Sequence, residues 1–331
     1  MTEFRAEDII LGNSAPIREL RKMIHRIAPT SVPVLIEGPT GSGKELVAQA
    51  IHRLSGRTGA LVAFNACALG ESMFEDALFG HRKGAFTGAL NDHIGLIGEA
   101  NGGTLFLDEI GSLAGSAQAK LLRVIETRQY RRIGTSRDAQ SDFRLISATN
   151  ESLEALVEER RFRADLMWRV RGIVLSVPGL PERIEDVPLL AERFGSECGR
   201  TLSAEAIEVL LAHEWTGNVR ELRQVVLAAA STALSDRVAA SHLKRILVRR
   251  QPVTLFEVSD ADRLLDLLRS VRGDVSAAAE MLGVHPVTIY RRLKRLGCSS
   301  RALRRTLVVS ASNQYGQDRA PPLQTEPDVS E

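Results

Sequence analysis

The segment Gly38-Pro39-Thr40-Gly41-Ser42-Gly43-Lys44 constrains the fold of this chain more than any other. It continues the apolar run VLIEG at 34–38 and leads directly into an amphipathic helical pattern at 44–54. Glycine-rich backbone between a strand and a helix can curl its N–H groups around phosphates, while the helix N-terminus and Lys44 add positive potential. A glycine–serine turn before a surface lysine has the same composition but not this setting. Glu45 stands where a Mg2+-binding hydroxyl usually follows such a lysine. Further on, Leu105-Phe106-Leu107-Asp108-Glu109 ends an apolar run in two adjacent carboxylates. Asp108 is placed to hold Mg2+, directly or through water, and Glu109 to polarise the water that attacks a terminal phosphate.

Around these motifs short apolar runs alternate with helical patterns. VLIEG, LVAFN (61–65), TLFLD (104–108) and FRLISATN (143–150) read as buried strands, whereas 17–27, 44–54 and 118–127 repeat at helical spacing. Such alternation means an α/β domain with a mostly parallel, covered sheet. After VPGLPER the strands are expected to stop, and 185–194, 204–213, 219–234 and 242–249 read as a small helical subdomain. No apolar run approaches the roughly 18 residues of a spanning helix. The opening MTEFRAEDII carries acids where a secretory signal has bases, so the expectation is a cytoplasmic protein with no membrane partner. Cys67, Cys198 and Cys298 are far apart and odd in number, which excludes a disulfide framework or zinc ribbon and leaves them as expected packing residues.

Between the two phosphate motifs lies LFGHRKGAFTGA, residues 78–89. Its glycines flank an aromatic and a threonine, which places Phe86 and Thr87 at an expected loop tip. An aromatic held in water usually has a partner. The string Gly84-Ala85-Phe86-Thr87-Gly88-Ala89, so placed, resembles the bacterial enhancer-binding proteins, the AAA+ activators of sigma-54 RNA polymerase, and the resemblance runs from about Ile9 to Cys298. It implies a P-loop ATPase that uses ATP and Mg2+, with a parallel α/β sheet, a helical lid subdomain and a small all-α helix-turn-helix domain. Residues 84–89 would contact sigma-54. The phosphate loop would comprise Gly38, Pro39, Thr40, Gly41, Ser42, Gly43, Lys44 and Glu45, a glutamate being usual after the lysine in this family. By the same resemblance Asn65 is the switch that holds catalytic Glu109 until the γ-phosphate is sensed, and Thr149-Asn150 is sensor I. Arg163 and Arg169 in FRADLMWR are similar to arginine fingers that reach into a neighbouring subunit, and Arg220 in GNVREL to sensor II. Fingers acting in trans imply a ring, in this family a hexamer. The sequence departs from the family pattern at Ala77, Arg82, Leu180-Pro181-Glu182-Arg183, and at Glu214 and Thr216 beside Trp215; none is an assigned catalytic group.

The charge balance hides a third module. The chain has 331 residues with 43 Lys and Arg against 41 Asp and Glu, room for about two domains and a smaller unit. Seven of those bases fall between His285 and Arg305 with no acid, leaving 36 to face 41 acids elsewhere. The stretch 274–293, DVSAAAEMLGVHPVTIYRRL, reads as helix, tight turn, helix: Ala279 permits close approach, Gly283 the turn, and Pro286 the start of the second helix. Ile289 and Leu293 face inward, which leaves His285, Thr288, Arg291, Arg292, Lys294 and Arg295 as candidates for DNA contact. This resembles the Fis-type helix-turn-helix that ends enhancer-binding proteins.

The expected layout is a short segment 1–8, an α/β ATPase subdomain 9–180, a helical lid 181–249, a linker 250–258, a DNA-binding domain 259–298, and a basic, then disordered tail 299–331. Only about eight residues precede the ATPase, whereas most family members carry a regulatory domain there. The stand-alone subgroup is the one it resembles, with control by a trans-acting inhibitor, a partner activator or expression level. The leading expectation is an activator that binds upstream enhancer DNA and remodels the closed promoter complex of sigma-54 RNA polymerase holoenzyme. The alternatives are a general AAA+ unfoldase or helicase-type motor, and a DNA-binding regulator with a silent ATPase.

Overall fold

The computed structural model describes residues 5–67, 71–233 and 235–250, with Leu268, Val271 and Ala278. The chain divides into two units, Met1–Arg250 and Gln251–Glu331. His285, Thr288, Arg291, Arg292, Lys294, Arg295 and the whole expected helix-turn-helix turn lie outside the described residues, as does the expected tail; Leu268 and Ala278 are buried helical positions.

In the first unit the elements follow in the order α1 (Ala15–Ile27), β1 (Val34–Glu37), α2 (Lys44–Leu54), β2 (Leu61–Asn65), α3 (Glu71–Phe79), α4 (Leu96–Glu99) and β3 (Thr104–Asp108). Next come α5 (Gly115–Thr127), the hairpin β4 (Gln129–Arg131) and β5 (Asp138–Gln140), β6 (Arg144–Thr149), α6 (Leu153–Glu158), α7 (Ala164–Val170) and β7 (Ile173–Ser176). Five strands form a parallel sheet in the order β2-β3-β6-β1-β7. The three central strands are almost wholly buried on both faces, as strands covered on both sides are. Alternate residues feed two cores: Leu35, Leu105, Leu107 and Leu145 pack towards α5, α6 and α7, whereas Val34, Ile36, Phe106 and Ile146 pack towards α1 and α2. Edge strand β7 was not among the expected strands. Only Leu175 of its four residues is buried, so it lacks the run that marks its neighbours.

The lid follows as α8 (Val187–Ser196), β8 (Thr201–Leu202), α9 (Ala204–Leu211), α10 (Asn218–Thr232), β9 (Arg237–Val238) and α11 (Ala240–Arg250). Strands do not stop at the lid after all, because β8 and β9 pair in parallel over two residues each, too short to leave a periodic signal. The lid core gathers Leu190, Leu210, Leu222 and Val226 around Trp215, whose indole N–H donates to the Leu210 carbonyl at 2.8 Å. Cys67 and Cys198 are exposed, not packed in a core as expected.

Two buried polar groups join the layers. The Arg144 guanidinium, fully buried on β6, donates to the carbonyls of Ala28 (2.5 Å) and Ile27 (3.0 Å) and so closes the C-terminal end of α1. Burial pushes its pKa down to about 10. At the lid boundary the buried Asp186 carboxylate accepts from Asn13 N (2.5 Å), Ser14 N (2.8 Å) and Ser14 Oγ (2.6 Å). Glycine is required beside it, since Gly12 has φ +140° and a Cβ there would lie 2.5 Å from Asp186 Oδ2. Removing the carboxylate leaves both Ser14 donors orphaned in a buried site and frees Asn13 N at its edge. Asp186→Ala is therefore expected to cost about 2–4 kcal/mol, read as a lower midpoint in urea unfolding.

Candidate active site

The C-terminal ends of β1, β3 and β6 deliver the candidate groups to one edge of the sheet, where open α/β sheets bind ligands. The loop after β1 turns through two left-handed glycines, Gly41 (φ +79°) and Gly43 (φ +108°). Lys44, the first residue of α2 and 6% exposed, donates from Nζ to the Gly38 carbonyl at 2.9 Å and lies 3.6 Å from Glu109 Oε1. Glu109 itself is left-handed (φ +54°), and its Oε2 accepts from Asn150 N at 3.2 Å. Asn150 Nδ2 in turn donates to Thr40 Oγ1 at 2.9 Å. Thr149 accepts from Glu151 N through its hydroxyl and meets the loop through its carbonyl, which takes the Gly38 N–H at 3.3 Å. Lys44, Glu109, Asn150 and Thr40 thus form one connected set from three strands.

Asn65, expected beside Glu109, instead donates from Nδ2 to Asp108 Oδ2 at 3.3 Å and accepts from Cys67 N at 2.8 Å. Asp108 Oδ1 takes the Glu109 N–H at 3.1 Å. Glu109 is turned towards Lys44 and Asn150, and the hydrogen bonds of Asn65 go to Asp108, its partner in register, and to Cys67.

Arg183 and Asn218, to which sequence reasoning gave no role, join Arg220 in holding the lid on this loop. Arg183, 3% exposed, donates from a terminal nitrogen to the Ser42 carbonyl at 2.8 Å, and burial holds its guanidinium below the ordinary value. Asn218 donates to the Thr40 carbonyl at 3.0 Å and accepts from Leu180 N at 2.7 Å. Arg220 reaches the loop through its backbone N–H, which donates to the Gly41 carbonyl at 3.2 Å. A cleft of about 90 Å³ opens beside Ser42 and Gly43, with Ile10, Leu11, Val177, Leu190 and Phe194 among its walls. A larger cavity of about 420 Å³ lies between α3, α5 and the β4–β5 hairpin and contains none of the phosphate-loop residues.

The remaining expected groups lie elsewhere on the first unit. Arg163 and Arg169 sit at the start and end of α7, about half exposed, with Trp168 between them 68% exposed. Arg163 forks onto Asp165 at 2.7 and 3.0 Å, which raises its pKa, and Arg169 pairs with Glu126 at 2.9 Å. The segment 84–89 forms a tight turn in which Gly84 N donates to Ala89 O and Ala89 N to Phe86 O. Phe86 is 45% exposed, and its ring meets that of His81 edge-on at 5.0 Å. Asp92 closes the turn by accepting from Lys83 N and pairing with Arg82; the Lys83 hydrogen bond is the main cause that holds its carboxyl below the usual range.

The sigma-54 interaction domain model matches residues 10–176, the AAA+ ATPase lid domain 181–256, and the Fis family of bacterial regulatory proteins 256–296. The chain belongs to the sigma-54 activator family. The nitrogen fixation protein AnfA of Azotobacter vinelandii is 38% identical over 89% of this chain and 59% of its own length. The transcriptional regulatory protein ZraR of Escherichia coli is 37% identical over 86% of this chain and 68% of its own. The chain thus spans between about half and two thirds of these curated relatives. NtrX from Brucella abortus in complex with ATP superimposes with a TM-score of 0.65 at 34% identity, covering 87% of this chain and 69% of that one. The Thermotoga maritima RuvB branch-migration motor, at 19% identity and a TM-score of 0.51, shares the AAA+ fold.

A nucleotide fits the loop of this member of the sigma-54 activator family on two observations. Ser42 Oγ is buried without a hydrogen-bond partner, and the cradle at Gly41 has no room for a side chain: a Cβ would lie 2.5 Å from the Gly217 carbonyl. Gly41→Ala, strained at φ +79° as well, is expected to weaken ATP binding by about tenfold or more. Gly56→Ala, also at positive φ but open to space, is the control that leaves affinity unchanged. Anisotropy titration with a fluorescent ATP analogue reads both.

Proposed function

We propose that this protein is an ATP-hydrolysing transcription activator that binds upstream DNA, assembles into a ring and remodels the closed promoter complex of sigma-54 RNA polymerase. The observation that carries this reading is the exposed Phe86 turn, which stands apart from the phosphate-loop contacts within a chain of the sigma-54 family. A tip with no contact to the phosphate loop can serve a protein partner without altering the chemistry.

In this reading the backbone N–H groups of Gly41 to Lys44 and the Lys44 ammonium cradle the phosphates. Asp108 is the residue to hold Mg2+, which supplies charge neutralisation when bound. Glu109 orients and polarises the attacking water. A γ-phosphate would draw Lys44 away from Glu109, freeing one carboxylate oxygen while Asn150 N keeps hold of the other. Because Asn150 also holds Thr40, the position of the glutamate follows that of the loop. The apolar cleft at Ile10, Leu11 and Leu190 suits the base, and Arg220 on the lid suits a sensor of the terminal phosphate. Arg163 and Arg169 would act on a neighbouring copy's site in a hexamer. DNA contact falls to His285, Thr288, Arg291, Arg292, Lys294 and Arg295 in the region matched by the Fis family, in a cytoplasmic setting. A trans-acting inhibitor or partner activator would set its activity.

Glu109→Gln is expected to keep ATP binding and lose turnover by about 10²-fold or more, measured by phosphate release. Mixing inactive Arg169→Ala with inactive Lys44→Ala should restore part of that turnover, because a neighbour's guanidinium stabilises the transition state by on the order of 10³-fold or more in related NTPases. The mixing ratio is varied so that poisoned rings are recognised. Phe86→Ala and Thr87→Ala should retain hydrolysis but lose capture of sigma-54 in a transition-state-analogue complex and, with it, open-complex formation. Activation by either loop variant at the unaltered rate would move the reading to a general AAA+ remodelling motor.

A further inference from the structure

Three side chains at the base of the Phe86 turn serve neither nucleotide chemistry nor the expected contact with sigma-54. Asp76 on α3 and His81 and His93 on the two arms of the loop each offer one ligand atom, and the three atoms lie within 4.8 Å of one another. His81 Nδ1 is 2.5 Å from Asp76 Oδ1, and the two imidazole rings are 5.6 Å apart. All three residues are partly buried, so the cluster is neither a solvated charge patch nor sealed in the core.

The backbone sets this arrangement. His81 N donates to His93 O at 2.9 Å and His93 N to His81 O at 2.8 Å, the exchange of an antiparallel hydrogen-bonded pair. Residues directly opposite in such a pair project to the same face, so the register that closes the loop also puts the two imidazoles side by side. A second tie fixes the same arm from its other edge: Arg82 N donates to Ile133 O at 3.0 Å and Ile133 N to Gly80 O at 2.8 Å. Glycine at position 80 is enforced, with φ +75° and the His93 carbonyl 2.3 Å from where a Cβ would stand.

We propose that Asp76, His81 and His93 bind a divalent transition-metal ion, with Zn2+ as the representative, and that the bound ion clamps the stem of the loop. Two imidazoles and one carboxylate are the borderline nitrogen and oxygen donors that Zn2+ and its late first-row neighbours take, and the hard cations Mg2+ and Ca2+ prefer all-oxygen sets. Zinc bonds of about 2.0–2.1 Å place tetrahedral ligand atoms roughly 3.4 Å apart, within the present spread. The close His81–Asp76 hydrogen bond is the one that must open: the ion takes the place of the proton between Nδ1 and the carboxylate, and His81 binds as the neutral imidazole with its proton on Nε2. A three-residue set keeps a fourth position for water. Bridging α3 to both arms of the loop would fix His81, on whose ring Phe86 rests, and so hold the tip in its present position. The effect on the tip matters to transcription only through the sigma-54 reading above, but the site itself stands on these three residues.

The full chain is titrated with Co2+ and with Zn2+ in competition with a chromophoric chelator, alongside His93→Gln and Asp76→Asn. The expected result is one Zn2+ per chain displaced at least tenfold more readily from each variant than from wild type, with intense visible Co2+ bands of a tetrahedral site and no thiolate charge-transfer band. Circular dichroism and ATP affinity of the variants identify a folding failure, and in that case the wild-type Co2+ spectrum decides: thiolate bands or weak octahedral bands overturn the proposal. So does wild-type Zn2+ binding that neither variant weakens. Tryptic cleavage after Arg82 and Lys83, in the absence of polymerase, reads the clamp: saturating Zn2+ should slow it several-fold in wild type and leave His93→Gln unchanged. Equal cleavage of wild type with and without Zn2+ overturns the clamp, whatever the loop proves to contact.

Discussion

The contact between the lid and the phosphate loop governs the rest of this structure. Arg183, Asn218 and the Arg220 backbone grip the carbonyls of Ser42, Thr40 and Gly41 in turn, three successive groups that a free loop would present to water. Asp186 adds a further tie by holding the lid to Asn13 and Ser14. The phosphate loop is consequently shared between two hydrophobic cores, one centred on the sheet and one on Trp215. Displacing the lid would strip hydrogen bonds from the loop at the same time, so lid position and loop order are linked through buried polar groups that have little alternative solvation.

The same economy holds on the far side of the loop. Thr40 is bonded to Asn150, Asn150 to Glu109, and Glu109 is paired with Lys44, so one circuit crosses the ends of three strands. The left-handed backbone at Glu109 is what brings its carboxylate into that circuit, away from Asn65. Asp108, one residue earlier, remains with β2 through Asn65. Two adjacent acids that look equivalent in sequence are thereby assigned to opposite directions by one backbone dihedral.

Much of the scaffold was legible because it is written in local periodicity. Strands 61–65 and 104–108 and helix 44–54 lie where the apolar patterns place them, and the phosphate loop sits between its strand and helix. What escaped notice lacks such a pattern. Strand β7 has a single buried side chain, and β8 and β9 pair through two residues each. Helices α3, α6 and α7 are short and share their apolar residues with loops. Arg183 and Asn218 act through carbonyls 141 and 178 residues away, a relation that no spacing encodes. Their immediate surroundings, LPER and GNVREL, are motif segments, but nothing local distinguishes a guanidinium that enters the core from one that stays in water. His93 was similarly invisible until the antiparallel pairing set it beside His81.

That pairing also determines how the Phe86 turn can move. Its stem is hydrogen-bonded across to His93 and sideways to Ile133, while the turn beyond it is closed by its own backbone bonds and by Asp92. A projection built in this way behaves mechanically as a stiff lever rather than a tether. A small rotation of the stem, carried by α3 or by the segment after β4, is amplified at the aromatic tip in proportion to the arm's length, with the tip's shape preserved. Force applied to the tip would return along the same arm into α3 and the segment after β4, the two elements to which the stem is bonded.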